Sequence, residues 1–138
     1  MTGSPVTLLV VTAHPDDEAF GTSGTLARYG AEGIRTALVC VTRGEAGQTG
    51  GLADSPAALA ELRSDELRCS AQLIGLSELY LLDYPDGGAA AWNLPALTAQ
   101  LGGLIGALRP ELLVTFDEHG VTYHPDHIAV HRAVVDAI

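Results

Sequence analysis

Residues 12–21, TAHPDDEAFG, place a histidine and three consecutive acids directly behind the apolar run VTLLVV. Neighbouring carboxylates repel one another and are costly to bury. The stretch is therefore either a solvated turn capping the next helix or the seat of something positive. A second cluster, HPDH at 124–127, has similar composition. Taken alone it suits a helix start, with Pro125 in the first turn and Asp126 favoured by the helix macrodipole. Four of the five histidines fall between 119 and 131, and the fifth is His14. Imidazole and carboxylate together are donors that divalent cations take.

The elements that must position these clusters alternate along the chain. VTLLVVTA (6–13) is a continuous apolar run of a strand covered on both faces. GTSGTLARYGAEG offers hydroxyl caps and a short helix ending at Gly30 or Gly33. IRTALVCVT (34–42) is a second buried strand, followed by the glycine-rich loop RGEAGQTGGLADS, a candidate lid. Ser55 and Pro56 open a long helix to about Ile74, with Leu59, Leu62, Leu67 and Leu73 as its apolar stripe and Arg63, Asp65 and Glu66 off it. LYLLD (79–83) is a third strand ended by the turn YPDGG, 94–109 is a glycine-weakened helix, 111–117 is a fourth strand, and a helix begins near Pro125.

Such alternation implies βαβ units with parallel strands and right-handed crossovers. The expected architecture is an α/β, Rossmann-like parallel sheet of at least four strands in the order 3-2-1-4, with helices on both faces, in one domain spanning 1–138. Strands 1 and 4 are then neighbours at the topological switch point, where ligands bind beyond the carboxyl ends. The acidic cluster follows strand 1 and HPDH follows strand 4, so both converge on one crevice. The usual guest of that crevice, a dinucleotide, is excluded: the chain has no G-x-G-x-x-G and no P-loop lysine, and Asp16, Asp17 and Glu18 would repel phosphate. A cation is the better guest.

The bulk properties exclude other partners. The 138 residues carry a formal charge of −10, with seven arginines and no lysine. That balance disfavours nucleic acid and anionic membrane, which need a basic footprint. No stretch approaches the ~20 apolar residues of a membrane span, and the N-terminus has no basic, signal-like region. Cys40 and Cys69 lack metal-type spacing and read as buried small hydrophobes of a reducing compartment, so the expected location is cytoplasmic.

AHPDDE after the first strand, together with HPDH after a later one, resembles the PIG-L/LmbE-like N-acetylglucosaminyl deacetylases. TRGEAG, ELRSDEL and DYPDG look like further family segments, so the resemblance runs along essentially the whole chain. It implies a Rossmann-like, metal-dependent amidase that removes acetyl groups from N-acetylglucosamine conjugates, with Zn2+ as the usual ion and Fe2+ or another divalent metal as alternatives. Bacillithiol- or mycothiol-type precursors fit a bacterial member.

The resemblance implies His14, Asp17 and His127 as metal ligands and Asp16 as general base. It implies His124 as the group assisting the carbonyl oxygen and the leaving amine, with Asp126 as the carboxylate orienting it. Three protein ligands leave a coordination position for water, and zinc lowers the pKa of such water from ~15.7 towards ~7. Glu18 is expected to hold the other ring nitrogen of His14 or the turn itself. His131, four residues beyond His127, is expected to be packed or at the surface, and His119 to lie in a loop. Arg63, Glu45 and Asp86 are the candidate substrate contacts, Arg63 with a helix-surface ion pair to Glu61 or Glu66 as its alternative. Trp92 reads as a sugar-stacking face or a packing anchor. The pocket tyrosine of some relatives is replaced by Thr122, beside Tyr123.

The chain ends at Ile138 within a helix, where family members continue with further strands, so a truncated or unusually short member is expected. The expected partner is a small N-acetylated amino sugar, and nothing in the sequence speaks against a homo-oligomer. The competing readings are a non-catalytic metal- or sugar-binding module, a different amide hydrolase on the same site, and an iron oxygenase built on two histidines and a carboxylate.

Overall fold

The computed structural model describes residues 5–138. Strands β1 (Leu8–Thr12), β2 (Thr36–Thr42), β3 (Glu78–Tyr84) and β4 (Leu112–Val114) form one sheet in the order β3-β2-β1-β4. Every pairing is parallel: Val10 stands beside Leu38 on one side and Val114 on the other. The sheet class and strand order are those expected from the alternating pattern.

Alternation along the strands splits the core in two. Leu9 and Val11 of β1 and Ala37, Val39 and Val41 of β2 point to one face, where α4 (Leu94–Leu108) and α6 (Pro125–Ala137) bury Leu97, Leu101, Val130 and Val134 against them. Leu8, Val10, Leu38 and Cys40 point to the other, covered by Leu26 of α2 (Ser23–Ala31) and Leu67 of α3 (Pro56–Ile74). Helices thus cover both faces. Helix α3 starts where expected: the Ser55 hydroxyl accepts from Ala58 N at 3.1 Å, Pro56 sits in the first turn, and Gly75 ends it at φ 80.

Four expectations are corrected. The buried face of α3 is Leu59, Ser64, Leu67 and Ala71, so Leu73 is exposed and Arg63 lies beside the buried face instead of clear of it. Small residues, Ser64 and Ala71, share that buried face with Leu59 and Leu67, so leucine spacing alone does not mark it. Cys69 is exposed, whereas Cys40 is buried. Strand β4 is only three residues long, with Leu112 and Val114 exposed along the sheet margin. Two short helical turns were not foreseen: α1 (Asp17–Gly21), directly behind the first cluster, and α5 (Gly120–Tyr123), directly before the second. Among the described residues no helix is long and apolar enough to cross a membrane.

Candidate metal centre

The first cluster leaves β1 through a tight turn. Asp16 has φ 118, a left-handed conformation that a residue with a side chain adopts only when its surroundings enforce it. The enforcement comes from Glu18, whose Oε2 accepts from Asp16 N at 3.0 Å while its Oε1 accepts from Ser70 Oγ at 2.9 Å. Glu18 is thus the buried brace of the turn and does not touch His14. Asp17 folds back on the strand end: its Oδ2 accepts from His14 N at 2.8 Å and from Ala13 N at 3.2 Å. These donors orient the carboxylate before any ion arrives.

The second cluster approaches from the far end of the chain. His127, on the first turn of α6, donates from Nδ1 to Gly120 O at 3.0 Å and stacks on Phe116, with ring centroids 4.0 Å apart and planes 6° from parallel. A ring proton on Nδ1 leaves the Nε2 lone pair free, and Nε2 points at the first cluster. It lies 3.2 Å from His14 Nδ1 and 3.4 Å from Asp17 Oδ1, and His14 Nδ1 lies 3.6 Å from Asp17 Oδ2. Two ligands on a tetrahedral zinc ion with bonds of 2.0–2.1 Å are separated by about 3.4 Å. The separations are close to that tetrahedral edge, but the two to Asp17 run to different oxygens, Oδ1 for His127 and Oδ2 for His14, so the carboxylate lies against both imidazoles. Two imidazoles and a carboxylate also suit a borderline divalent ion, so the residues fit the metal that the resemblance implies.

His124 is near this cluster, since ring nitrogens of His14, His124 and His127 all lie within 4.8 Å of one another. His124 Nδ1 is occupied as acceptor of Asp126 N at 3.2 Å, which leaves Nε2 as the protonated, donating end of a neutral ring. It lines a polar cavity of about 300 Å3 together with His14, Asp16, Arg63 and Asp86. Asp17 and His127 lie instead at the rim of a larger, mostly apolar cavity of about 420 Å3 bounded by Val10, Phe20, Val114 and Phe116. His14, Asp16, Asp86 and His124 converge on the smaller cavity, which makes it the candidate place for chemistry.

Several expected contacts resolve differently. The Asp126 carboxylate does not face His124; it accepts from His14 Nε2 at 2.9 Å and from the backbone N–H of Gly87 and Ala89 at 2.7 and 3.1 Å. Helical geometry explains this: Asp126 is fully buried and points across α6 towards the β3 loop, and only its backbone N–H is left for the preceding ring. Asp86 reaches the same His14 nitrogen at 3.0 Å and accepts from Ala46 N at 2.9 Å. Glu45 accepts from Asp86 N at 2.8 Å, so its carboxylate is turned to the protein and away from the cavity. Arg63 makes no pair with Glu61, which binds Arg43 instead. Its guanidinium donates to Gly44 O at 2.9 Å, to Pro15 O, and to Asp16 Oδ2 at 3.0 Å. Gly44 has to be glycine, because φ is 73 and a Cβ would stand 2.2 Å from the Arg63 guanidinium.

Of the remaining histidines, His131 donates its Nδ1 proton to Phe116 O at 2.8 Å, a packed role, and His119 is exposed. Trp92 is a packing anchor whose Nε1–H donates to Pro85 O at 2.9 Å. Phe116 and Gly120 were missed by sequence reasoning, and only the turn-forming glycine left any signal. At Gly120 φ is 62 and a Cβ would stand 2.7 Å from the His127 Cβ.

The electrostatics follow the contacts. Burial lowers the pKa of His14, but hydrogen bonds to Asp126 and Asp86 and the charge of Asp17 outweigh it and raise the value to about 9. Burial raises Asp17, Asp86 and Asp126, and bonding to His127 in the first case and His14 in the others overcomes it, holding all three below the usual carboxylate range. Asp16 goes the other way: burial and the adjacent Asp17 raise it, against the opposing pull of Arg63.

Fold and site together define a doubly wound α/β protein with a cluster of histidines and aspartates at its switch point that could hold a cation. A family model described as GlcNAc-PI de-N-acetylase, PIG-L, matches residues 9–138, and the chain belongs to that family. It is 37% identical over 152 residues to a 1D-myo-inositol 2-acetamido-2-deoxy-alpha-D-glucopyranoside deacetylase of Thermobifida fusca, covering 94% of this chain and 53% of that protein. The solved structure of a conserved protein, TT1542, from Thermus thermophilus superposes with a TM-score of 0.78 at 36% identity, over 96% of this chain and 55% of that one. N,N'-diacetylchitobiose deacetylase from Pyrococcus horikoshii superposes with a TM-score of 0.85 at 26% identity, over 96% and 49%. The chain spans about half the length of the curated relatives it matches.

Proposed function

We propose that this chain carries the metal-dependent centre of an N-deacetylase that hydrolyses the acetamide of an N-acetylglucosaminyl conjugate. The observation that carries the reading is the approach of His14 Nδ1 to His127 Nε2 at 3.2 Å, with Asp17 Oδ1 3.4 Å from His127 Nε2 and Asp17 Oδ2 3.6 Å from His14 Nδ1, two imidazoles and a carboxylate gathered closely enough to hold zinc or a similar divalent ion. The names of the Thermobifida and Pyrococcus proteins, both acting on N-acetylated sugars, support the substrate class.

A divalent ion held there supplies Lewis acidity to the acyl oxygen and acidity to a bound water. The rest of the work falls to the chain. Asp16 is adjacent to the ligands yet commits its carboxylate to none of them, and its raised pKa makes it a better proton acceptor than an ordinary aspartate. It takes the proton of the attacking water and returns it to the departing amine. Arg63 keeps that carboxylate aimed into the cavity. His124 presents Nε2–H as the donor to the oxyanion of the tetrahedral intermediate. The polar cavity accepts the sugar, with the Arg63 guanidinium and the backbone of the 46–47 loop among its lining.

Acetate release from N-acetylglucosamine and from its inositol conjugate, measured with zinc and with chelator, tests the reading. Expected is chelator-sensitive release that falls by about 100-fold or more in Asp16→Asn. Stoichiometric zinc without turnover would leave a metal-binding module instead.

A further inference from the structure

His14 is gripped on both ring nitrogens, and the grip on the side away from the candidate metal is unusual. Two carboxylates converge on the single Nε2: Asp126 at 2.9 Å and Asp86 at 3.0 Å. One N–H makes one well-aligned hydrogen bond, so the second carboxylate needs a reason to be there.

The two acids are held differently. Asp126 is fully buried and locked by the N–H groups of Gly87 and Ala89. Asp86 sits at the edge of the polar cavity and is held by a reciprocal pair with the 44–47 loop: its Oδ2 accepts from Ala46 N, and its own N–H donates to Glu45 Oε1. Asp86 thus has one oxygen on His14 and the other on the loop, and Glu45 has one oxygen on the Asp86 backbone.

We propose that Asp86 is a positioning residue for His14, completing with Asp126 a two-carboxylate clamp that sets ring orientation and strengthens Nδ1 as a metal donor, and that Glu45 positions Asp86. A carboxylate on the far nitrogen of a ligating histidine fixes its tautomer and raises its basicity. The same chain of contacts joins the glycine-rich loop to the metal: Glu45 and Ala46 hold Asp86, Asp86 holds His14, and His14 faces the ion. Neither acid is then the sugar contact that its place at a strand end suggests. The inference rests on the metal reading above.

The test is zinc affinity by chelator competition, with the cobalt absorption spectrum as a second signature, on the full chain as wild type, Asp86→Asn, Asp86→Glu and Glu45→Gln. Expected is zinc binding weakened about 10- to 100-fold in Asp86→Asn and several-fold in Glu45→Gln, with a shifted cobalt spectrum and partial recovery in Asp86→Glu. At saturating zinc the KM for N-acetylglucosamine stays within twofold of wild type. Zinc affinity within twofold of wild type in folded Asp86→Asn, with KM raised tenfold or more, would overturn the proposal and make Asp86 a sugar contact. A wild-type chain that binds no zinc would overturn the metal reading itself. Glu45→Gln alters a loop side chain outside the core and keeps the test readable if Asp86→Asn fails to fold.

Discussion

Phe116 and His127 lie face to face, ring centroids 4.0 Å apart and planes within 6°. The stack fixes the plane of the imidazole while the bond from Nδ1 to Gly120 O fixes its rotation. Together they aim Nε2 at His14 and Asp17 before an ion is present. Phe116→Ala removes one of the two restraints and is expected to weaken zinc binding about tenfold, with Phe116→Tyr close to wild type. Chelator competition checks it, and a loss confined to kcat with unchanged zinc affinity would show that the stack does not orient the ligand.

Arg63 opposes the burial and the Asp17 charge that raise the Asp16 carboxyl. Removing the guanidinium lets that pKa climb further. A protonated Asp16 accepts no proton, so the acid limb of the kcat/KM profile in Arg63→Met is expected to move to higher pH. The deficit relative to wild type is larger at pH 6 than at pH 8. A pH–rate profile measured with saturating zinc decides the matter; a uniform loss at all pH values would point to substrate binding instead.

The pKa of His14 in the metal-free chain is raised to about 9. Ligation through Nδ1 requires that proton to leave, so at neutral pH zinc expels one proton from His14. Affinity is expected to rise with pH, about tenfold per unit for one displaced proton, and to flatten above about 9. Calorimetry in buffers of different ionisation enthalpy measures the released proton. The sign for stability is the reverse. Because the folded value exceeds the ordinary histidine value, the contribution of His14 to metal-free stability is complete below pH about 6.5 and fades as pH rises through about 9.

Leu97 is fully buried in the layer between α4 and the sheet. Leu97→Ala is expected to destabilise the fold by about 2–5 kcal/mol, because the packed neighbours collapse only partly into the space left. Ser55→Ala, which removes the cap of α3, is expected to cost about 1 kcal/mol. Denaturant midpoints measure both, and a Leu97 effect no larger than that of Ser55 would contradict the packing described.

The strands, their order and the crevice were legible because they rest on local pattern: apolar runs too long for half-buried strands, glycine and proline punctuation, and the handedness of βαβ crossovers. The α3 stripe differs from its leucine spacing because the small residues Ser64 and Ala71 are buried beside Leu59 and Leu67 while Leu73 is exposed. Glu18 was left between two roles, and the structure assigns it to the turn, through Ser70 on a helix 52 residues away. The partner of Asp126 differs from what the resemblance implies because its carboxylate is taken by His14 and by the N–H groups of Gly87 and Ala89, which sequence proximity to His124 does not reveal.

From the sequence alone came a parallel α/β sheet, the gathering of two His/Asp clusters at one switch point, and a charge that excludes phosphate and favours a cation. Those are consequences of periodicity, connectivity and sign, which local chemistry dictates. Only the tertiary structure decided which nitrogen of each histidine faces which partner, that Arg63 reaches Asp16, and that Asp86 and Asp126 meet on His14. The contacts of Arg63 with Asp16 and of Asp126 with His14 join residues 47 and 112 positions apart, and their geometry depends on rotamers selected by packing, on which sequence spacing carries no information.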